Sequence, residues 1–209
     1  MRDWAGRFLM YSMCGLCVCG TARAASQTFD FKDRKGVNAV SFVLDSVVEP
    51  IMGLAKGISG EIEFDPKKAK SMTGQITIAA DSIRPSHEGM VKVLHSAGWL
   101  DVEHQPNVTF EIDRVRAAKK KGRGVWNMKV VGALTLKGVT KKMTVPIKAS
   151  YIKGGLAKRM RGQKGDLLVL RSNFTIKRAD FGIKPDMGGD VVAEDIEIRV
   201  IIVGGAPEE

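Results

Sequence analysis

The sequence predicts an all-β protein, built as a single extended antiparallel barrel of eight strands with one short helix between strands. Segments in which apolar and polar residues alternate recur along most of the chain, as in half-buried strands. One stretch, 81–112, has a helical period and holds all three histidines. No repeated strand–helix–strand pattern occurs, so we expect one antiparallel sheet that closes on itself and buries its apolar face.

The N-terminal segment reads as an export signal and not as part of the fold. Two arginines precede an apolar run over 8–19, and the Ala-Arg-Ala sequence at 22–24 provides the small residues of a cleavage site. The apolar run is too short to cross a bilayer of about 30 Å as a helix. We therefore expect a signal peptide over 1–24, cleavage near Ala24/Ala25 and a periplasmic protein.

All three cysteines lie inside this segment, at positions 14, 17 and 19. The exported protein is therefore expected to have no disulfide, no thiol nucleophile and no thiolate metal site. A lipoprotein anchored through one of these cysteines is a weaker alternative, because bulky residues precede them. The folded domain is expected over 25–203, followed by a flexible tail over 204–209.

The chain has a net charge of +10, which becomes +8 when the three arginines and one aspartate of the signal are removed. Two glycine-flanked clusters, 119–123 and 158–164, carry much of it and are expected to be loops. They favour either transient contact with an anionic membrane surface or simple solvation of an exported protein. Nucleic acid is not an expected partner, because no aromatic residues interleave with the basic clusters to stack bases.

Strands are predicted wherever apolar residues take every second position. Ten such segments make about eight long strands in meander order, and they cover residues 27–34, 37–48, 58–64, 75–80, 108–112, 126–130, 134–136, 143–151, 174–176 and 195–203. Pro146 lacks a backbone N–H, so we expect it at a sheet edge or a bulge. Eight strands enclose an interior that is either filled by side chains or holds one slender ligand.

Within 81–112, His87, Met90 and Leu94 share one helical face. We interpret that face as a plug or gate at one end of an apolar channel. The histidines at 87, 95 and 104 are too far apart in sequence for a metal site on one helix, and no metal is expected. Adjacent Ser86, His87 and Glu88 point in different directions and cannot form a catalytic relay, so no catalytic residue is predicted.

The candidate ligand-binding residues are the inward positions of the predicted strands and helix. They are Phe42, Leu44, Ile62, Phe64, Ile76, Ile78, His87, Met90, Leu94, Phe110, Ile112, Trp126, Met128, Leu134, Leu136, Phe174 and Ile176. For any one of the apolar members, ordinary barrel core explains the pattern as well as ligand contact does. The flexible thioethers of Met90 and Met128 adapt best to an irregular chain. His87 would donate a hydrogen bond to a headgroup, with a purely structural histidine as the alternative.

Four motifs follow one another along the mature chain. They are GEIEFD at 60–65, SAGWLDV at 96–102, GALTLKGVT at 132–140 and RADFGI at 178–183, the last leading to EDIEI at 194–198. In this order behind a signal peptide, they resemble the YceI family of exported, lipocalin-like, polyisoprenoid-binding proteins, from about Phe29 to Val203. Members often carry His-Leu where this chain has Val93-Leu94, so no role of that histidine is carried over.

The resemblance implies a lipocalin-like barrel whose lumen holds an isoprenoid-type lipid, such as a polyprenyl lipid or an isoprenoid quinone, for non-enzymatic transport or sequestration. No cofactor other than such a lipid is implied. One alternative is an exported stress or interaction protein with a filled core and basic membrane-contacting loops. A weaker alternative is an enzyme acting on a lipid headgroup, with His87 as its base. A homodimer is left open.

Overall fold

The computed structural model describes residues 26–208, which contain eleven strands and two short α-helices. The expected signal peptide lies outside these residues. The elements are β1 (Gln27–Asp30), β2 (Ala39–Leu44), β3 (Ile51–Ala55), β4 (Ile58–Phe64), β5 (Thr73–Ala79), β6 (Ile83–Pro85), α1 (Val91–His95), β7 (Asn107–Gly122), β8 (Val125–Leu136), β9 (Val139–Ile152), α2 (Leu156–Arg159), β10 (Gly165–Lys177) and β11 (Asp195–Pro207). Single turns of 3-10 helix occupy Ala69–Ser71, Ala80–Ser82, Glu88–Met90 and Ala179–Phe181.

Eight of these strands close into an antiparallel ring. The ring runs β1-β4-β5-β7-β8-β9-β10-β11, and Asp30 opposite Gly205 joins the last strand to the first. The other three strands, β2, β3 and β6, extend β1, β4 and β5 in line beyond short interruptions. The predicted all-β barrel of eight antiparallel strands with a short helix between strands is therefore confirmed, with its first three strands each divided in two.

The first interruption separates β1 from β2 along the edge of β11, and a side chain bridges it. Asn38 is buried, and its Nδ2 donates to the carbonyl oxygen of Val203 at 3.1 Å. The backbone N–H of Val203 donates back to Asn38 Oδ1 at 3.0 Å. The amide side chain thus replaces a missing backbone rung, which keeps the groups of β11 paired as buried polar groups must be.

The two ends of the barrel differ in content. We call the end formed by 80–106, 136–139 and 178–194 the lid end. We call the other the basic end, because it brings together the two lysine- and arginine-rich clusters, of which the first was expected to be a loop but forms the end of β7 over 119–122. There the N–H of Tyr151, before the second cluster, donates to the carbonyl oxygen of Gly124, in the turn that follows the first cluster, at 2.7 Å.

The second helix, α2, lies in the basic loop after β9, where the sequence predicted only a loop. Leu156 begins it and is buried, which anchors the turn to the barrel wall. At its other end, Arg159 Nη2 donates to Asn38 Oδ1 at 3.3 Å. The loop is therefore held against the start of β2 by one apolar and one polar contact.

The flexible tail expected over 204–209 is wrong for residues 204–207. These residues belong to β11, where Ala206 pairs with Asp166 and Pro207 with Gly165. Ala206 is buried in the core, and the ring of Phe31 lies so close to Gly204 that an added Cβ would stand 2.6 Å from it. Glycine and proline disfavour strands, so pairing with β10 and not intrinsic preference makes this strand.

Strands β9 and β10 are hydrogen-bonded along only part of their length. Their ladder ends at Arg171 opposite Lys148, although each strand stays paired with its other neighbour beyond that point. We call the facing unpaired segments, 139–147 and 172–177, the seam. Pro146 lies at this local edge, as predicted from its missing N–H, and its carbonyl oxygen accepts a hydrogen bond from Ser172 Oγ at 2.6 Å.

Candidate ligand-binding cavity

An apolar cavity lies inside the barrel, extending from its middle to the lid end. The cavity has a volume of about 190 Å³. Aliphatic and aromatic residues make nearly all of the lining, and Thr109, Arg171 and Ser172 are the exceptions among the described residues. Such a wall suits an apolar chain and offers few partners to a polar group.

Most of the residues predicted to face the lumen line this cavity. They are Phe42, Leu44, Ile62, Ile76, Ile78, Leu94, Phe110, Ile112, Leu134, Leu136, Phe174 and Ile176. They come from β2, β4, β5, α1, β7, β8 and β10, so the cavity wall runs round much of the ring. Contact between any of these side chains and a ligand stays a prediction.

Three predicted lumen residues lie in packed core at or towards the basic end instead. Phe64, Trp126 and Met128 belong to a buried cluster and do not line the cavity. The ring centroids of Phe64 and Trp126 are 5.3 Å apart with an interplanar angle of 73°, an edge-to-face contact. The interior is therefore filled by side chains there and open nearer the lid end.

The last two predicted residues lie at the lid end, outside the cavity wall. Met90 is half-buried and packs against the lid-end core cluster. His87 is exposed and precedes the 3-10 turn that leads into α1. Neither residue is among those that line the cavity.

A large part of the cavity wall lies outside the residues predicted from the sequence. The apolar residues in question are Val40, Ala55, Ile83, Trp99, Leu100, Val108, Val145, Ile147, Leu170, Ile183, Ile196, Ile198, Val200 and Ile202. Several stand at alternate positions of β9 and β11, where the period-two pattern had already placed them on the inner face. For these residues the period-two alternation is a sufficient signal.

The lid end is closed by a second buried cluster. Leu94 of α1 packs there with Trp99, Leu100, Phe181 and Ile183. The chain turns back directly after the helix, and the N–H of Leu100 donates to the carbonyl oxygen of Leu94 at 3.1 Å. The helix thus contributes one apolar side chain, Leu94, to the cavity wall. The segment that follows the helix folds back and covers this end of the cavity.

Lys137 ties three lid-end segments together. It stands with Gly138 in the two-residue turn between β8 and β9, where both have positive φ, 50° and 72°, as a type I′ hairpin requires. Its Nζ donates to the carbonyl oxygen of Gly182 at 2.5 Å and to that of Gly98 at 3.4 Å. The N–H of Lys184 also donates to the Gly98 carbonyl oxygen, at 3.2 Å.

Arg178 holds the last lid-end loop from inside. Its side chain is almost fully buried, and its guanidinium donates to the backbone carbonyl oxygens of Ile183, Lys184, Met187, Val192 and Ala193. A planar group with five N–H donors suits a loop that presents several unpaired carbonyls. No apolar periodicity could have indicated this residue in advance.

The other two histidines have local roles. His95 is half-buried, and its Nε2 lies 2.8 Å from the carbonyl oxygen of Ile83, which links α1 to β6. His104 Nδ1 lies 2.8 Å from Asp101 Oδ1, and the hydrogen bond with that carboxylate raises the pKa of the exposed imidazole. Within residues 26–208, no cluster of three or more His, Cys, Asp or Glu side chains could hold a metal ion. The helices in that part of the chain are too short or too polar to cross a membrane.

With the cavity and its lid defined, comparison with known proteins decides the family. The YceI-like domain family matches residues 26–203. The chain belongs to this family. Curated relatives include a UPF0312 protein of Serratia proteamaculans, 32% identical over 197 residues, and one of Pseudomonas aeruginosa strain LESB58, 30% identical over 192 residues. Each match covers 90% of this chain and 91% of the relative.

Solved structures share the YceI-like fold. BcnA of Burkholderia cenocepacia is 25% identical with a TM-score of 0.60, covering 79% of this chain and 95% of BcnA. The Campylobacter jejuni YceI protein is 22% identical with a TM-score of 0.59, covering 75% and 84%. A domain from Saccharophagus degradans is only 11% identical, with a TM-score of 0.61 over 88% of this chain and all of the domain.

Three of the four YceI-like motifs meet at the lid end. Gly98 of SAGWLDV, Lys137 of GALTLKGVT and Gly182 of RADFGI are joined by the hydrogen bonds of the Lys137 ammonium group. The fourth motif, GEIEFD, forms most of β4 and ends near the basic end, where Phe64 meets Trp126. The motifs thus mark the closure of the YceI-like barrel at its two ends.

A tyrosine–aspartate pair lies at the basic end of the YceI-like barrel, away from the cavity wall. Tyr151 Oη donates to Asp166 Oδ2, and the N–H of Gly154 donates to Asp166 Oδ1 at 2.7 Å. Burial and the Asp166 contact both raise the pKa of the Tyr151 phenol. Burial alone would raise the pKa of Asp166, but the hydrogen bonds from Tyr151 and Gly154 outweigh it and lower that pKa. The pair therefore holds the end of β9 to the start of β10.

Proposed function

We propose that this protein binds a long-chain lipid of isoprenoid type in the barrel cavity, and that it carries or sequesters the lipid without catalysing a reaction. The observation that carries the proposal is the apolar cavity enclosed by the ring and the lid end. The fold is also shared with the Saccharophagus degradans domain, which is described as a polyisoprenoid-binding domain.

The energetics of an apolar wall favour a long aliphatic ligand. Transfer of each methylene from water gives about 0.8 kcal/mol, so a chain segment of about ten carbons gives about 8 kcal/mol. Association itself costs several kcal/mol in lost freedom, about 4 kcal/mol or more. A chain of this length or longer therefore binds with little help from polar contacts, which matches a cavity that offers few.

The size of the cavity indicates that a long chain must displace side chains. An engineered cavity of about 150 Å³ holds a single benzene ring, and the open space here is about 190 Å³. Phe110 and Phe174 line the cavity and are only half-buried, so their rings have room to turn. The Phe110 ring lies over Gly132, where an added Cβ would stand 2.5 Å from its Cζ. We propose that these rings move aside as a chain enters.

We further propose that the protein works in the periplasm after removal of its signal peptide, and that its basic end makes transient contact with anionic membrane. The convergence of both basic clusters at one end supports this. The filled core around Phe64 and Trp126 agrees with the rival interaction protein, but the open region does not. The enzyme alternative is weakened because His87 is exposed and not part of the cavity wall.

The test is to extract the purified mature protein with organic solvent, analyse the extract by mass spectrometry, and measure uptake of geranylgeraniol. Co-purified isoprenoid lipid and saturable uptake are expected. Val200→Trp fills the cavity from the middle of β11, where Val200 lines the wall, and should reduce uptake by about tenfold at a modest cost in stability. Val37→Trp makes the same change at a residue that is 61% exposed and should leave uptake unchanged.

Two results would overturn this proposal. A protein that carries no lipid and takes up none has no lipid-binding function of this kind. Equal uptake by Val200→Trp, Val37→Trp and the unmodified protein would place the binding site outside the cavity.

A further inference from the structure

The seam between β9 and β10 leads directly into the cavity. Its borders carry Val145 and Ile147 on β9, and Ser172 and Phe174 on β10, and all four residues line the cavity. The ladder does not continue there, and the strands are linked instead by the hydrogen bond from Ser172 Oγ to the Pro146 carbonyl oxygen, which a chain passing between them would have to break. This differs from the neighbouring β10–β11 boundary, which is paired along all of β10.

The outer surface at the closed end of the seam is strongly cationic. Lys148 and Arg171 are directly opposite each other in the last paired rung. Lys129 stands opposite Pro146 on the β8 side, and Arg199 opposite Asn173 on the β11 side. We call Lys129, Lys148, Arg171 and Arg199 the seam patch.

No acidic side chain among residues 26–208 is paired with the seam patch. The four side chains of the patch are exposed. Asn127, Asn173 and Ile201 face outwards beside them and carry no negative charge, and Glu197, two positions from Arg199 on the same face of β11, forms no ion pair with the patch. Like charges directly opposite each other destabilise a sheet. The arrangement therefore favours an anion that is not supplied by the barrel itself.

We propose that the seam patch binds the anionic headgroup, a phosphate or carboxylate, of a lipid whose chain passes through the seam into the cavity. This inference rests on the proposed lipid-binding function and adds the chemical class of the headgroup and its location. The cavity wall offers almost no polar group, so a charged headgroup stays outside it. Arg171 is exposed and stands between Leu170 and Ser172, which are buried and line the cavity, so the patch lies on the outer side of this part of the wall.

The experiment compares two probes with the same chain, farnesyl phosphate and farnesol. Binding is followed by the change in tryptophan fluorescence, because Trp99 lines the cavity whereas Trp126 lies in the filled core. The unmodified protein should bind the phosphate about fivefold to tenfold more tightly than the alcohol at low ionic strength, since exposed ion pairs are individually weak. The preference should shrink as salt is added. The double variant Lys148→Gln/Arg171→Gln should bring the ratio of the two affinities close to one.

A matched control removes the same charge elsewhere. Lys119→Gln/Lys121→Gln alters the end of β7, next to the turn into β8, and it should keep the phosphate preference. Inorganic phosphate competes with farnesyl phosphate only weakly if the chain and the headgroup bind together. Strong competition by inorganic phosphate without displacement of farnesol would assign the patch to free anions and overturn the inference.

The two proposals fail in different ways. If farnesol and farnesyl phosphate bind equally to the unmodified protein, lipid binding stands and the headgroup site is overturned. The same holds if the Lys148/Arg171 double variant keeps its preference. If neither probe binds, the lipid-binding function fails and the headgroup site with it.

Discussion

Arg178 Nη2 donates a hydrogen bond to the carbonyl oxygen of Val192 at 3.2 Å, across fourteen residues of chain. Both residues are buried, and no carboxylate accompanies the guanidinium in its set of hydrogen-bond partners. A cation is thus retained inside the protein by backbone carbonyls alone. The loop it organises carries Ile183 into the cavity wall, so the stability of the loop and the shape of the cavity depend on one side chain.

Replacement of Arg178 by methionine should therefore be costly. The substitution keeps much of the side-chain volume but leaves several carbonyl oxygens without donors. Hydrogen bonds to charged groups contribute about 1.5–3 kcal/mol each, so we expect the free energy of unfolding to fall by about 3 kcal/mol or more. Urea denaturation of the purified protein measures this directly.

Two further variants serve as comparisons for Arg178→Met. Arg178→Lys keeps the charge but cannot reach all the carbonyls, and it should recover only part of the loss. Arg116→Met changes an exposed arginine and should lower stability by no more than about 0.5 kcal/mol. A loss below about 1 kcal/mol in Arg178→Met would show that the loop does not depend on this side chain.

Asp166 should make the protein sensitive to acid. Its pKa is lower in the folded state than in the unfolded chain, so its stabilisation is complete above the unfolded value, about 3.9, and is lost as pH falls through the folded value. Asp166→Asn should lower stability at pH 7 by about 1–3 kcal/mol and flatten the dependence of stability on pH below about 4. Denaturant titrations from pH 2 to pH 7 test both effects.

The control for this prediction is Asp186→Asn, because Asp186 is exposed and forms no ion pair within residues 26–208. The free energy of unfolding of Asp186→Asn should equal that of the unmodified protein at every pH. If Asp166→Asn behaves in the same way, the contacts with Tyr151 and Gly154 do not favour the ionised carboxyl.

His87→Ala should change neither the stability of the protein nor its lipid uptake. The imidazole is exposed, and the residue lies outside the cavity wall. Surface substitutions of this kind change the free energy of unfolding by no more than about 0.5 kcal/mol. His95→Ala is the informative comparison, because loss of its hydrogen bond with Ile83 should cost about 1 kcal/mol. Reduced uptake in His87→Ala alone would restore this residue as a headgroup donor.

The sequence was sufficient for the barrel because its strands obey a strict period of two. In β11, Ile196, Ile198, Val200 and Ile202 alternate with polar or exposed residues, and each faces the interior in the structure. The end of the same strand was missed, because Gly204-Gly205 has no such pattern. Its conformation comes from pairing with β10, which local composition does not report.

The sequence predicts which side chains face the interior of the barrel, but not which of them surround an open cavity. Phe64 and Ile62 have the same parity in β4, yet Ile62 lines the cavity and Phe64 is packed in the filled end. The alternation of apolar and polar residues shows which face of the sheet a side chain lies on, but not its position along the barrel axis. It therefore cannot distinguish the open part of the interior from the filled part. The seam was beyond prediction for a similar reason, since Pro146 indicated an edge but not which neighbour would be absent.

The pairing of Asp30 with Gly205 means that closure of the barrel is a late step in folding. The first strand of the ring pairs with the last, so the wall cannot close before nearly the whole chain is present. Contacts between residues so far apart in sequence form slowly, because the intervening loop must first lose its freedom. A chain that has not yet paired its last strand therefore presents an open apolar sheet to its surroundings. Deletion of residues 204–209 should keep it in that aggregation-prone form.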